Sequence, residues 1–177
     1  ALLYLGKDIN TRDAADIEAA QQALIDQKPL VLAYLGDSIK ESMINGEAAL
    51  AVVYSGDAIW CSDPEEGNPD LAYALPGEGS NVWFDNIVIP KTSQHSAEAE
   101  AFINFLCDAQ VAKQNTEYIG YSTPNAAAFA LLDASYTENP TYNPPQELLD
   151  RCALFHDLGD FISVYETAWN NVKLHVD

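Results

Sequence analysis

Positive charge is scarce in this chain, which has 8 lysines and arginines against 27 aspartates and glutamates and a formal net charge of −19 over 177 residues. A field of that sign repels nucleic acid and anionic membrane and draws in small cations, so no nucleic-acid partner is expected. An acidic surface that serves only solubility has the same composition. Long apolar runs are missing too. No stretch of about 18 apolar residues exists, so no membrane-spanning helix is expected, and no signal-peptide pattern is found in the first residues. Cysteine is limited to Cys61, Cys107 and Cys152. An odd number at wide spacing, with no CxxC pair, excludes a full disulfide framework and argues against zinc; buried, reduced thiols are expected. The signatures of phosphate and acyl chemistry are absent as well. Gly77 and Gly79 in PGEGS do not extend to GxGxxG, and there is neither a Walker A motif nor GxSxG. His95, His156 and His175 are scattered, with only His156 beside an acid, Asp157. No catalytic residue, metal or cofactor is therefore expected, although a carboxylate pair for glycoside hydrolysis stays open among so many acids.

What is present suffices for a globular core: 48% of residues are hydrophobic, at about the length of one ordinary domain. ALLYLG reads as a last helical turn stopped at Gly6. Asp13–Ile25 reads as a helix with Ala14, Ile17, Leu24 and Ile25 on one face, Thr11 or Asp13 as its cap, and Lys28-Pro29 as its end. Leu30–Leu35 is predicted as a strand. A short helix follows, capped by Asp37 and stopped at Gly46, and Ala49–Ser55 is a second strand, so a right-handed parallel crossover is expected. Leu71–Leu75 and Val82–Ile89 are further predicted strands, joined by PGEGS. A helix capped by Ser96 should bury Ala99, Phe102, Ile103, Leu106 and Cys107. An irregular connection is marked by Pro140, Pro144 and Pro145. A last helix, Asp157–Lys173, should turn Ile162, Tyr165, Ala168, Trp169 and Val172 inward. The fold class expected is α/β, with a mainly parallel sheet flanked by helices.

The segment NVWFDNIVIP is the most informative. Strand alternation would place Trp83 and Asp85 on one face. An indole face and a carboxylate side by side suit an organic ammonium, through a cation–π contact and charge-assisted hydrogen bonds. By pattern alone, a core tryptophan and a strand-end aspartate is the plainer reading. Tyr54, at a predicted strand end, and Tyr121, in a Gly-Tyr-x-Thr-Pro loop, are similar cases, because strand ends and loops line clefts in α/β folds.

Four segments, GEAALAVVYSGDA, GSNVWFDNIVIPK, EAFINFLCDAQVAKQNTEYIGYSTPN and DLGDFISVYETAW, resemble in order successive segments of bacterial polyamine (spermidine/putrescine) binding proteins. That resemblance implies part of a two-lobed, periplasmic-binding-protein-like fold, a polyamine ligand, an ABC transporter permease as partner, no enzymatic activity, and a place in the periplasm or anchored by lipid at the outer face of the cell membrane. It implies ligand contacts at Trp83, Asp85 and Tyr121. Tyr54 stands where a relative has tryptophan. Asp37 matches a Ser/Thr-Asp step, although Gly36 removes the hydroxyl, and Phe155 falls near a relative's glutamine. It also implies that 1–82 belongs to a second lobe, that 83–125 is a hinge strand and return segment to a first lobe, and that 126–177 is a tail packing on the second lobe. The missing N-terminal lobe, or a second chain, would complete the site. Another small cationic or polar solute is the alternative ligand, with a carboxylate hydrolase or an acidic interaction module as more distant readings.

Overall fold

The structure is a computed structural model in which residues 1–176 are described. The helices are α1 (Ala14–Gln27), α2 (Ile39–Ile44), α3 (Ser55–Cys61), α4 (Ser96–Leu106), α5 (Ala109–Ile119), α6 (Ala126–Phe129), α7 (Ala134–Thr137), α8 (Gln146–Leu149) and α9 (Ile162–Leu174), with short 3-10 turns at Lys28–Leu30 and Gly159–Phe161. The sheet is small: β1 (Ser80–Asn81) lies parallel to β2 (Cys152–Ala153), with Ser80 opposite Cys152 and Asn81 opposite Ala153. Val82 N–H continues the pairing onto the Ala153 carbonyl at 3.0 Å.

Two compact units share the chain. The first takes Ala1–Tyr34, Leu75–Trp83 and the stretch from Gln146 onward; the second takes Leu35–Ala74 and Phe84–Pro145. In the first unit α1 packs along α9. Ile17, Ala20 and Val172 are buried there, as are Ile9 and Leu158. Asp13 caps α1 by accepting the Ala15 N–H at 2.9 Å. The Tyr165 hydroxyl lies 2.7 Å from the Thr11 carbonyl and 3.1 Å from that of Ile9, so the entry to α1 is tied to α9. At the other end of the pair, Lys28 Nζ donates to the carbonyls of Val172 (2.8 Å), Lys173 (2.9 Å) and His175. A cation there meets the negative end of the α9 dipole and satisfies carbonyls that have no partner inside the helix.

In the second unit α2 packs on α3, and α5 packs on α4 and α6. The turn after α2 is a Schellman closure: Glu47 N–H bonds to the Ser42 carbonyl at 2.9 Å and Gly46 N–H to that of Met43 at 3.1 Å, with Gly46 at φ 70°. The same pattern closes the opening turn, where Lys7 N–H reaches Leu2 and Gly6 N–H reaches Leu3, each at 2.9 Å.

Several expectations are corrected. Leu30–Leu35, Ala49–Ser55, Leu71–Leu75 and most of Val82–Ile89 enter no ladder among the described residues, and Ser55 instead opens α3. A strand's main chain needs a neighbour along its edge. Beyond the Val82 bond to Ala153, no ladder partner for these stretches occurs among the described residues, and Leu50, Val52, Ile87 and Val88 stand exposed. Ser96 is the first residue of α4, and its N-cap position is held by His95 with no side-chain bond. The predicted stripe on α4 is not buried: Phe102 and Cys107 are exposed, Ala99, Ile103 and Leu106 are only partly covered, and Phe102 stacks on the exposed Phe105 with ring centroids 6.4 Å apart. Asp37 contributes its main-chain carbonyl to Lys40 N–H at 3.3 Å and is not the cap of α2, whose N-cap residue is Ser38. On α9, Val172 is buried, but Ile162 and Trp169 are partly exposed; Trp169 packs edge-on against Tyr34, with ring centroids 4.9 Å apart. All three cysteines are free thiols, yet only Cys61 is buried, and Cys107 is exposed.

Candidate functional site

Tyr121 is placed by backbone geometry on both sides. α5 ends at Gly120, which adopts φ 76°, a left-handed conformation that a side chain resists. That turn carries the chain back over α3. A Cβ on Gly56 would lie 2.1 Å from Cε2 of Tyr121, so the phenol ring fills the space left by the missing side chain. Gly56 is itself buried in the first turn of α3, between Tyr54 at the N-cap position and Asp57.

The electrostatic surroundings of that phenol reveal its neighbours. Burial pushes the Tyr121 pKa up to about 12, and Asp57, Tyr54, Asp85 and Asp37 push in the same direction through their negative charges. Burial disfavours the phenolate, and nearby anions disfavour it further. All five residues belong to the second unit. Three residues singled out in the sequence, Tyr54, Asp85 and Asp37, are therefore brought within electrostatic reach of a fourth, Tyr121, from separate stretches of chain. Asp85 and Asp37 are exposed, Tyr54 is 57% exposed, and Tyr121 is half-buried. Trp83 is the last residue of its stretch in the first unit and is 37% exposed; Phe155, also in the first unit, is exposed.

Asp57 escaped the sequence reading. It stands three residues after Tyr54 within YSGDA, one helical turn on, and that spacing was the available signal. Its Oδ1 accepts from Lys40 Nζ at 3.2 Å, and Lys40 also sits 5.7 Å from the centroid of the Trp60 ring. The arrangement suits binding. Carboxylates and phenols clustered on one unit offer acceptors and ring faces to an organic cation. A phenol held this far above neutrality stays protonated, so Tyr121 is a hydrogen-bonding group and a poor general base near pH 7. No group of three or more His, Cys, Asp or Glu suited to a metal ion occurs among the described residues, and no helix there is long and apolar enough to cross a membrane.

A family model described as bacterial extracellular solute-binding protein matches residues 1–144. The chain belongs to that family. Among curated relatives, this chain is 32% identical over 173 residues to the spermidine/putrescine-binding periplasmic protein 1 of Haemophilus influenzae, covering 98% of this chain and 47% of the relative. It is 34% identical to the spermidine/putrescine-binding periplasmic protein of Salmonella typhimurium, at 98% and 49% coverage. Of solved structures, the spermidine/putrescine substrate-binding protein PotD of Streptococcus pneumoniae superposes with a TM-score of 0.83 at 34% identity, over 98% of this chain and 53% of that one. A solved Listeria monocytogenes chain gives 0.88 at 37% identity, with the same coverage. The fold is thus part of a two-lobed periplasmic-binding-protein fold, and the chain spans about half the length of the curated relatives it matches.

Proposed function

We propose that this chain is part of an extracytoplasmic protein that captures a di- or polyamine cation and hands it to the permease of an ABC transporter. The observation that carries the reading is the Tyr121 phenol seated on Gly56 in the first turn of α3, within electrostatic reach of Asp57, Tyr54, Asp85 and Asp37. The polyamine ligands named for its relatives support the same ligand class. In this reading Asp85 and Asp37 accept N–H bonds from ligand ammonium groups, and Tyr121 and Tyr54 supply phenol faces and hydroxyls. Trp83 supplies an indole face, a role that rests on the sequence resemblance. No bond is made or broken.

The proposal includes the rest of the fold. A first lobe, or a second chain in its place, closes over the ligand and covers apolar surface now open at Leu50, Val52, Ile87, Val88, Phe102 and Phe105. The division of 1–82, 83–125 and 126–177 between the two lobes belongs to the same proposal, as does a location in the periplasm or on a lipid anchor at the outer face of the membrane.

A thermal-shift panel of putrescine, spermidine, neutral diols and amino acids on the complete two-lobed protein tests the reading. A ligand that binds only the folded state raises the melting temperature in proportion to the logarithm of its concentration. Saturable stabilisation by the amines and none by the diols is expected. No stabilisation by either amine rejects the proposal.

A further inference from the structure

The ammonium of Lys40 already occupies the kind of position that a ligand amine would seek. Its Nζ is 3.2 Å from Asp57 Oδ1, and both side chains are mostly covered, at 27% and 20% exposed. The same Nζ stands 5.7 Å from the centroid of Trp60. A carboxylate on one side and an aromatic ring on the other are the two groups that organic ammonium recognition uses. The carboxylate concerned belongs to the residue next to Gly56, against which the Tyr121 ring lies.

We infer that Lys40 is a tethered stand-in for a ligand ammonium: it holds Asp57 and thereby sets how many ammonium groups the Tyr121 cluster accepts, favouring diamines over longer polyamines. This rests on the reading of that cluster as an amine site. Lys40 is on α2 and Asp57 on α3, and α2 packs on α3, so the pair is intramolecular. A tethered competitor acts at a high effective concentration, and a free ligand must outbid it for the same oxygen. The remaining carboxylates, Asp85 and Asp37, carry no ion pair with any described lysine or arginine. A diamine can be served by those two. A triamine gains its third charge-assisted bond only by displacing Lys40, whose flexible stem lets it swing aside at a cost.

Calorimetric titration of putrescine and spermidine into the complete two-lobed protein tests this. Lys40→Gln keeps a donor for Asp57 and removes the charge. It should shift the ratio of spermidine to putrescine affinity towards spermidine by about tenfold, the scale of one charge-assisted hydrogen bond. Lys40→Arg should keep the wild-type ratio. Adding Asp57→Asn to Lys40→Gln should return the ratio to within about threefold of wild type, because the released carboxylate is gone. A ratio that does not move in Lys40→Gln overturns the inference. So does a shift that survives in the double variant, since it would then come from overall charge. Lys40→Met, which keeps the stem against Trp60, carries the test if the glutamine variant does not fold. Failure of both to fold makes the pair purely structural and also overturns it. Absence of binding by wild-type protein is a separate outcome, the failure of the amine reading itself.

Discussion

Tyr121 and Gly56 exclude each other's side chains: a Cβ on Gly56 would come within 2.1 Å of the Tyr121 ring. That relationship links the end of α5 to the first turn of α3 and sets where the phenol stands. Alanine at 56 would favour a helix, by about 0.5–1 kcal/mol in an open position. Here the gain is opposed by displacement of the ring. Gly56→Ala should weaken amine binding at least about tenfold while changing global stability by no more than about 2 kcal/mol. Calorimetry together with urea unfolding separates the two effects, and unchanged affinity would show that the ring's position is irrelevant to binding.

Asp85 should hold a ligand ammonium. A charge-assisted bond contributes about 1.5–3 kcal/mol, so Asp85→Asn should weaken amine binding by about tenfold or more with the fold intact. Trp83 should report the ligand by fluorescence. If the amine-induced signal persists in full in Trp83→Phe, the emission change comes from Trp60 or Trp169 and the assignment of Trp83 fails.

The Tyr121 phenol should ionise late. Burial first, and then Asp57, Tyr54, Asp85 and Asp37, raise its pKa to about 12 from an ordinary 10.0. The folded state therefore holds this proton more tightly than the unfolded chain does. The resulting stability is fully present below about pH 10 and is lost as the pH rises towards 12. Burial raises Tyr142 to about 12 as well, so ultraviolet difference titration should show late-ionising tyrosines whose amplitude falls by one phenol in Tyr121→Phe. Amine binding should decline earlier, near the pKa of the ligand's own ammonium groups at about 10. A decline that follows the phenol instead would mean that Tyr121 ionisation controls the site.

Lys28 should matter to stability more than an exposed lysine usually does, because its ammonium caps three carbonyls at the end of α9. Lys28→Met should destabilise the protein by about 1–2 kcal/mol in urea unfolding. A change below about 0.3 kcal/mol would show that water serves those carbonyls equally well.

Local signals in the sequence carried their meaning into the structure. The cap at Asp13, the stops at Gly6 and Gly46, and the buried face through Ile17 and Val172 depend on residues a few positions apart, which is the range over which pattern is informative. The predicted strands failed for a reason of the same kind in reverse. Whether Leu30–Leu35 or Ala49–Ser55 pairs depends on a neighbour that local sequence does not specify. Residues Phe102 and Phe105 have helical spacing and an apolar face, yet both stay more than half exposed. Within the site, Tyr54, Tyr121, Asp37 and Asp85 were legible as candidates through resemblance. Asp57 and Lys40 were not, because an acid in a first helical turn and a lysine on a short helix have ordinary structural explanations, and only their placement distinguishes them.

The partnership of α1 with α9 has a consequence for synthesis. Lys28 and the Val172 carbonyl that it holds are 144 residues apart in sequence. At about 5–20 residues per second, roughly 7–30 s separate the emergence of α1 from the ribosome and that of its partner. During that interval Ile17 and Ala20 have no α9 to cover them. Until α9 emerges the apolar face of α1 must rely on transient cover, so the first unit closes late relative to the synthesis of its own first helix.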